Sequence, residues 1–518
     1  MKATIAALSA LCLAAPATAQ VAEVPMDSGA ASAQEGRDCA ALDTTALADA
    51  DITLAVDVAA TDNLPAYCRV QGTILPETRF EVRLPTQDWN GKFYMAGCGG
   101  FCGTLGADAP GTINAINHAL ARGYAAATMD GGHWGTGSTD ARWALANPVA
   151  EADWGYRAVA ETTKAAKTII AAYYRGDPEY SYFQGCSTGG RMANMAALRQ
   201  PEDFDGIISG APALDYPGLV GTSFAWIAQA DAGPDGPILT PADAAVVRDA
   251  VIARCDAGDG VEDGMVSDPL SCDFDPATLD LSEDKIAVLD AWYSEPVNAA
   301  GDVLYPASVP VGSEPFWPLW LTGLEGGGGA LVPTAFGPNF LKYMAFPDDP
   351  GAGYSVSEFD FDTDPARMAP MEEVYNSDDP DLTAFRDAGG KLLMYHGWAD
   401  AIVFPGKTLD YWDKMTAETT GDFARLFMIP GMDHCGIQAT GPGIDQSGFD
   451  PLSALEAWVE RGEAPERLDT AKTAEGETLW SRPVCAWPAK AQFDGSGDWR
   501  DPAGWTCETA KATENGDR

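Results

Sequence analysis

The stretch that decides the fold is Gly185–Gly190, with the sequence GCSTGG. Its first five residues fit the pattern G-x-S-x-G, in which a serine sits on a sharp turn between a strand and a helix. The turn closes only if small residues lie two places before and two places after the serine, as Gly185 and Gly189 do here. A strand-like run precedes it, and the helix-like RMANMAALRQ follows. The pattern also arises by chance, but this context predicts that Ser187 is a nucleophile.

On both sides of this turn, strand-like and helix-like segments alternate along the chain. Such alternation predicts an α/β fold with a largely parallel sheet and helices on both faces. The alternation of strand-like and helix-like segments stops over residues 216–383, which are rich in Gly, Pro, Trp and Asp. It resumes with the buried strand pattern of GGKLLMYHGWAD. We therefore expect an α/β core formed by residues 20–215 and 384–518, with residues 216–383 inserted as a lid domain.

The acid and base that would activate Ser187 can be sought by their order in the chain. In folds with this serine turn the order is serine, acid, histidine, and the acid follows a late strand. Of four histidines, that order selects His434, in PGMDHCG, and it selects Asp400, after KLLMYHG, as the acid. Asp433 is a weaker rival, because a side chain adjacent to His434 usually points away from the imidazole. Asp400 could instead be the N-cap of a helix.

Cysteines adjoin two of these residues: Cys186 precedes Ser187 and Cys435 follows His434. If Ser187 and His434 lie within hydrogen-bonding distance, the two cysteines must also be close. A disulfide between them would close a loop of roughly 250 residues and restrict the Ser–His distance, where about 1 Å can change a rate ~100-fold. The alternative is that they are two independent core cysteines.

The N-terminus has the pattern of a secretory signal. One lysine precedes an apolar run, and Ala17-Thr18-Ala19 forms an A-x-A cleavage site, so residues 1–19 are predicted to be a signal peptide. Removal of Cys12 with this segment leaves ten of the 11 cysteines, and an even number in an oxidising compartment indicates five disulfides. Zinc is the alternative, but the sequence lacks a CxxC…CxxC pattern. We expect a secreted or periplasmic protein.

The charge of the chain argues against two classes of partner. There are 76 Asp and Glu residues against 32 Lys and Arg, which gives a formal net charge of −44. Such a surface repels nucleic acid and anionic membranes, so we expect neither as a partner. The acidic excess is typical of adaptation to salt or of high solubility, and some of the carboxylates could bind metal.

An acidic loop within the predicted insertion is a candidate calcium site. The sequence DAGDGVEDGM places carboxylates at Asp256, Asp259 and Asp263 with glycines between them. Hard oxygen donors on a bent loop suit Ca²⁺, although the spacing is not that of an EF-hand. Cys255 and Cys272 flank the loop and are expected to pair across it. We expect this calcium to be structural and far from Ser187; the alternative is a solvated acidic turn.

Together these motifs resemble the tannase and feruloyl esterase family of secreted α/β-hydrolases, which includes the terephthalate monoester hydrolase of plastic-degrading bacteria. The matching stretches run from about residue 39 to 440 and are YCRVQGTI, WNGKFYMAGCGGFCG, GCSTGGRMANMAALRQPEDFDGIISGAPA, the acidic loop, LLMYHGWADAIV and LFMIPGMDHCG. The resemblance implies an α/β-hydrolase core with a large inserted lid, and a Ser187, Asp400, His434 triad with a Cys186–Cys435 disulfide. It also implies hydrolysis of esters that carry an aromatic acyl group.

The resemblance extends to further residues of both sites. It implies that the glycine-rich loop GCGGFCG lies beside Ser187 and that the N–H groups of Thr188 and Gly100 form an oxyanion hole. Gly99 is the alternative to Gly100, and the loop could also be a plain turn. At the acidic loop, the family pattern implies that backbone carbonyls of Val261 and Met265 complete the calcium shell.

The glycine-rich loop departs from the family pattern at two positions. Many relatives have G-N-G-G-F-A-G, where this chain has cysteines at positions 98 and 102. We expect Cys98 and Cys102 to pair with each other across the turn. Elimination then pairs Cys39 with Cys68 and Cys485 with Cys507, although spacing alone does not establish connectivity.

Aromatic residues of the predicted lid are candidates for an apolar slot that takes an aromatic acyl ring, although such residues more often belong to a core. They are Trp226, Trp292, Trp317, Trp320, Phe336, Phe340, Tyr343 and Phe346. The resemblance places Val403 at this acyl pocket, where a small side chain leaves an open floor. Arg367 and Lys342 are candidate anchors for a substrate carboxylate or phenolate.

We therefore predict a secreted serine ester hydrolase for small aromatic esters, with feruloyl-type hydroxycinnamate esters favoured over galloyl esters and terephthalate monoesters. A serine peptidase could share the triad but would cleave amides. A calcium-dependent binding protein would explain the acidic loop, but it would make Ser187, His434 and the adjacent cysteines coincidental.

Overall fold

The computed structural model describes residues 38–325 and 328–509, and the predicted signal peptide lies outside them. The strands are β1 (Ala50–Val58), β2 (Tyr67–Ile74), β3 (Thr78–Pro85), β4 (Lys92–Ala96), β5 (Ala125–Met129), β6 (Tyr180–Cys186), β7 (Gly206–Gly210), β8 (Ala232–Gly233), β9 (Gly236–Pro237), β10 (Lys391–Gly397), β11 (Ala424–Ile429), β12 (Arg467–Ala474), β13 (Glu477–Cys485), β14 (Ala489–Phe493) and β15 (Trp505–Thr509). The α-helices are α1 (Asn117–Ala121), α2 (Pro148–Ala152), α3 (Ala158–Tyr174), α4 (Thr188–Arg199), α5 (Phe224–Ala230), α6 (Pro241–Cys255), α7 (Glu283–Trp292), α8 (Trp317–Trp320), α9 (Gly337–Tyr343), α10 (Asp364–Tyr375), α11 (Thr383–Asp387), α12 (Pro405–Glu418) and α13 (Pro451–Arg461).

A nine-stranded sheet forms the centre of the molecule, in the order β1-β2-β3-β5-β4-β6-β7-β10-β11. β1, β2 and β3 pair antiparallel with their neighbours in this order. The other six strands of the sheet, β5, β4, β6, β7, β10 and β11, pair parallel with one another. The α/β fold with a largely parallel sheet is therefore confirmed. The carboxyl ends of β6, β7, β10 and β11 lie along one edge, which is where such sheets carry their sites.

Both faces of the sheet are covered, and the sequence of the strands shows why. In β4, Phe93 and Met95 belong to one hydrophobic core, whereas Tyr94 and Ala96 belong to the other. Successive side chains of a strand point to opposite faces, so a strand buried on both sides needs a continuous apolar run. β5, with the sequence AAATM, is buried at every position. Its small side chains let the covering helices approach closely.

The chain between β7 and β10 adds no strand to the nine-stranded sheet among its described residues. It contains helices α5 to α11 and the short β8–β9 pair. After α13, the chain forms two hairpins, β12–β13 and β14–β15, which the sequence analysis did not predict. Among the described residues, no helix combines the length and the apolar character needed to cross a membrane.

Five disulfides link the described residues, and each predicted pairing is present. They are Cys39–Cys68, Cys98–Cys102, Cys186–Cys435, Cys255–Cys272 and Cys485–Cys507. Three of them join residues fewer than 25 positions apart, and only Cys186–Cys435, with a separation of 249, connects distant parts of the sheet.

A buried arginine on α4 connects the sheet to the inserted segment. The Arg191 guanidinium donates to the carbonyls of Trp154 (2.8 Å), Gly155 (2.8 Å) and Tyr375 (3.1 Å) and lies over the Trp154 ring. Tyr375 is the last residue of α10, so this one side chain holds three segments together. Burial lowers the pKa of Arg191 to about 10, which still leaves it charged at neutral pH.

Replacement of this side chain should destabilise the whole fold. Arg191→Met removes the donor of three buried carbonyls, so we expect a loss of about 3 kcal/mol or more, read from guanidinium unfolding. Arg199→Met on the same helix is the matched control, because Arg199 is exposed and donates to a single carbonyl. Its effect should stay below about 1 kcal/mol. Equal effects of the two variants would contradict the role given to Arg191.

Candidate active site

Ser187 lies on the turn between β6 and α4, half-buried, with φ 65° and ψ −125°. A positive φ is unfavourable for a residue with a side chain and persists only where the surroundings hold it. The Ser187 N–H donates to the Gly210 carbonyl at 3.0 Å, which fixes the turn against the end of β7.

Glycines allow the turn to be packed from every side. A Cβ on Gly185 would lie 2.2 Å from the Gly189 carbonyl oxygen, and one on Gly97 would lie 2.6 Å from the Gly189 Cα. The glycine-rich loop that begins at Gly97 therefore rests directly on the Ser187 turn, as the resemblance implied. The G-x-S-x-G pattern carries the signal for this packing, because any larger residue would separate the two loops.

The predicted acid and base are in contact. His434 Nδ1 lies 2.7 Å from Asp400 Oδ2, and both side chains are buried. The other carboxylate oxygen, Oδ1, accepts the N–H groups of Ile402 (3.0 Å) and Val403 (2.8 Å). Asp400 is not a helix N-cap, because α12 begins at Pro405 and its N-cap is Phe404.

A second histidine, which the sequence analysis left without a role, supports Asp400 from behind. His396 Nε2 lies 2.8 Å from the Val403 carbonyl and 3.3 Å from Asp400 Oδ2, so this nitrogen carries the proton. Its Nδ1 accepts from the Thr408 hydroxyl at 2.8 Å. Burial alone would raise the pKa of Asp400, but the charge of His434 and the hydrogen bonds from both histidines hold it well below its usual range. Asp400 therefore stays ionised.

Asp433, the rival acid, points elsewhere. Its carboxylate accepts the N–H of Gln438 at 3.2 and 3.3 Å. Burial raises the pKa of Asp433 to about 7, in contrast to Asp400. Of the two carboxylates, only Asp400 has a hydrogen bond to the His434 ring among the described residues.

The Cys186–Cys435 disulfide brings the serine and the histidine to the same place. Its Cα atoms are 6.0 Å apart, and it joins the residue before Ser187 to the residue after His434. Ser187 and His434 both line one cavity of about 730 Å³. The Trp320 ring packs edge-on against the His434 imidazole, with the ring centres 5.7 Å apart.

The inserted segment contributes an apolar wall to the cavity, and Val403 of the core also lines the cavity. The residues of the wall include Leu219, Val220, Phe224, Leu331, Phe336 and Trp320. Of the predicted aromatic slot, only Trp320 and Phe336 line the cavity. Trp292, Trp317, Phe340 and Phe346 are instead buried in the hydrophobic core, which is where such residues more often lie.

Neither of the predicted cationic anchors faces the cavity. Arg367 pairs with Asp364 at 2.7 Å, and its side chain is 45% exposed. Lys342 is not among the lining residues. The lining residues that the structure describes include neither Lys, Arg, Asp nor Glu, and His434 is their one ionisable side chain apart from Tyr216.

The candidate oxyanion donors lie around Ser187. Thr188 is the first residue of α4, and Gly99 and Gly100 line the cavity. Gly100 has φ +57°, and a Cβ there would lie 2.3 Å from the Ser138 carbonyl oxygen, so only glycine fits. Cys98 and Cys102, paired across this loop, also line the cavity. The choice between Gly99 and Gly100 stays a prediction.

The acidic loop brings its three carboxylates together, but they face other partners. Asp256 Oδ1 accepts the N–H groups of Asp263 and Gly264, each at 3.0 Å. The buried Arg482 guanidinium lies 3.4 Å from Asp259 Oδ2 and 3.0 Å from Asp263 Oδ2. Within the described residues, no group of three His, Cys, Asp or Glu side chains is arranged to hold a metal ion. The oxygen-only donor set fits Ca²⁺ in its chemistry, and binding would require these carboxylates to turn.

Sequence reasoning missed Asn114, whose side-chain amide hydrogen-bonds to the main chain of Cys186, the residue before Ser187. Its Oδ1 accepts the Cys186 N–H at 3.0 Å, and its Nδ2 donates to the Cys186 carbonyl at 3.1 Å. β4 pairs with β6 only as far as Gln184, so the Asn114 amide continues the pairing beyond the end of β4. A Cβ on Gly189 would lie 2.2 Å from Asn114 Oδ1. A lone asparagine in a loop gave no signal of this contact.

Removal of the Asn114 amide should reduce the reactivity of Ser187. We expect Asn114→Ala to slow labelling of Ser187 by a fluorophosphonate at least about tenfold, because small displacements of a reacting group are costly. Asn114→Asp should slow the labelling as much as Asn114→Ala, because a carboxylate oxygen would replace the donor and repel the Cys186 carbonyl. Asn298→Ala is the control, because Asn298 bonds only within its own turn. Unchanged labelling of a folded Asn114→Ala protein would refute the role.

Comparison with known proteins identifies the family of the chain. Residues 62–507 match the family model described as tannase and feruloyl esterase. The chain is 34% identical to an uncharacterized esterase of Xanthomonas campestris pv. campestris, over 90% of this chain and 91% of that protein. It is 33% identical to the mono(2-hydroxyethyl) terephthalate hydrolase of Piscinibacter sakaiensis, with 86% and 85% covered.

A solved structure gives the same result for the fold. The crystal structure of feruloyl esterase B from Aspergillus oryzae superposes with a TM-score of 0.78 at 25% identity, and covers 89% of this chain and 97% of that chain. This chain belongs to the tannase and feruloyl esterase family and is a carboxylic ester hydrolase.

Proposed function

We propose that the protein hydrolyses esters through Ser187, His434 and Asp400, and that the aromatic acyl group of its substrate carries no charged substituent. The observation that carries the proposal is the 2.7 Å contact between His434 and a buried, ionised Asp400, on a loop that a disulfide ties to the Ser187 turn. Both Ser187 and His434 open onto a cavity with an apolar wall. An aromatic acyl ring suits such a wall because its burial is favourable without a charged partner.

The reaction follows from this arrangement. His434 takes the Ser187 proton as the serine oxygen attacks the ester carbonyl, and N–H groups of Thr188 and Gly100 stabilise the oxyanion. The imidazolium then gives its proton to the departing alcohol. Water, activated by His434, attacks the acyl-enzyme and releases the acid. Asp400 orients the ring and stabilises its charge, and His396 holds Asp400 in place.

Among aromatic acids, the cavity favours hydroxycinnamates such as ferulate over terephthalate monoesters. A terephthalate monoester carries a free carboxylate, and burial of a charge without a partner is costly. The described lining residues supply no lysine or arginine, and the formal net charge of −44 repels anions further. Ferulate is uncharged at its ring end near neutral pH, because a phenol ionises near pH 10.

Matched esters test both the mechanism and the choice of acyl group. Methyl ferulate should be hydrolysed faster than methyl gallate or mono(2-hydroxyethyl) terephthalate, and dimethyl terephthalate at least about tenfold faster in kcat/KM than its monomethyl acid. Ser187→Ala should lower kcat for every ester by about 1,000-fold or more while Tm changes little. Full activity of Ser187→Ala would refute the mechanism, and equal rates for the acid and the diester would refute the neutral pocket.

We also propose that the protein is exported and binds a structural Ca²⁺. The signal-like residues 1–19 and the five disulfides support export. Asp256, Asp259 and Asp263, with the carbonyls of Val261 and Met265, would hold the ion. It would supply a positive charge that keeps the repelling carboxylates together.

Calcium removal gives a direct test. EDTA should lower Tm by at least about 2 °C, and added Ca²⁺ should restore it, because a ligand of the folded state stabilises that state. Asp256→Asn should abolish the difference. An identical Tm in EDTA and Ca²⁺ would instead mean that Arg482 alone neutralises the loop, and the proposed ion would be withdrawn.

A further inference from the structure

Gln446 lines the cavity, and its side-chain amide has a hydrogen-bond donor that no described residue accepts. Its oxygen Oε1 accepts the N–H groups of Thr112 (2.9 Å) and Ile113 (3.2 Å). Because two donors face this oxygen, the orientation of the amide is fixed, and its Nε2 must lie at the other end. Gln446 lines the cavity, and no other group in residues 38–325 and 328–509 accepts from Nε2.

The amide is held rigidly. The main chain of Gln446 is fixed at both ends. Its main-chain carbonyl accepts a hydrogen bond from the Thr112 hydroxyl at 3.2 Å, and its main-chain N–H donates to the Gly436 carbonyl at 3.1 Å. Gly111 packs on the amide so closely that a Cβ there would lie 2.2 Å from Oε1. Binding to such a group requires little ordering of the protein, because the donor already points in one direction.

The position of Gln446 relates it to the leaving group. Gly436, to which it is bonded, belongs to the same turn as His434. In the proposed mechanism His434 passes its proton to the departing alcohol, so the alcohol must leave beside this turn. The apolar wall of the inserted segment would take the acyl ring. Thr104 and Ser138 add hydroxyl groups to the lining contributed by the core.

We propose that Gln446 forms an alcohol-side subsite that binds the hydroxyl groups of a polyol or sugar ester. The inference rests on the proposed function, since only ester hydrolysis gives the cavity an alcohol side. The Gln446 amide is an uncharged donor, so it suits an uncharged acceptor such as a hydroxyl oxygen of the alcohol. An anionic leaving group would find no cation among the described lining residues.

Two esters with the same acid and the same three-carbon alcohol chain isolate this contact. Propyl ferulate and 2,3-dihydroxypropyl ferulate differ only by two hydroxyl groups. The wild-type protein should prefer the diol ester in kcat/KM, and Gln446→Met should lower that preference about three- to tenfold, the effect of one lost hydrogen bond. Ser447→Ala is the control, because Ser447 is adjacent but not part of the lining, and it should keep the wild-type preference.

The outcomes separate the subsite from the function. If both esters are hydrolysed but the wild type shows no preference, or if Gln446→Met slows both equally, the subsite is refuted while the proposed function stands. If neither ester is hydrolysed, both fail. Should Gln446→Met not fold, Gln446→Glu keeps an acceptor for Thr112 and Ile113 but lacks the amide donor. It is then tested with 2,3-dimethoxypropyl ferulate, whose ether oxygens can accept a hydrogen bond but cannot donate one to the new carboxylate. The rate of this ester relative to propyl ferulate should be higher for the wild type than for Gln446→Glu, and an equal ratio would overturn the proposal.

Discussion

The Cys186–Cys435 disulfide is the constraint on which the site depends, because it fixes two loops that the sheet alone would not bring together. β6 and β11 are separated by β7 and β10 in the sheet, so Ser187 and His434 leave it from strands that are not neighbours. A bond between residues 249 positions apart removes unfolded conformations, and the entropy model gives up to about 5 kcal/mol for such a loop. Its larger consequence is geometric, since the bond restrains the two residues that exchange a proton in the proposed mechanism.

The same corner of the molecule also carries backbone strain. Ser187 and Cys435 both have positive φ values, 65° and 56°, which side chains disfavour. Three kinds of contact hold Ser187 in this conformation: the Gly210 carbonyl, the glycine-rich loop and the Asn114 amide. None of them involves the Ser187 side chain, which is therefore left free for chemistry. Strain of this kind persists where the surroundings over-determine the backbone, and here they do so from three directions.

The sequence predicted those parts of the fold and site that rest on local pattern or on chain order. The G-x-S-x-G turn and the sheet follow from local pattern, His434 and Asp400 from their order in the chain, and the Cys186–Cys435 pair from its adjacency to Ser187 and His434. Asn114, His396 and Gln446 did not, because each acts through a contact whose partner is distant in the chain and leaves no pattern. For a related reason the sequence did not distinguish which lid aromatics line the cavity, because a Trp in the core and a Trp in a pocket have the same local pattern. Arg482 was missed because β13 lies over 200 residues from the acidic loop that it contacts.

The end of the acidic loop packs against the chain segment that leads to His434. Met265 packs beneath Gly431, where a Cβ would lie 2.5 Å from the Met265 sulfur, and Gly431 packs on Gly443. Lys472 holds the next stretch by donating to the carbonyls of Ala439, Gly441 and Gly443. A cation that keeps the carboxylates together, whether Arg482 or Ca²⁺, therefore also fixes Met265 under this segment. A change of charge at the acidic loop would therefore reach the segment before His434 through the contact between Met265 and Gly431.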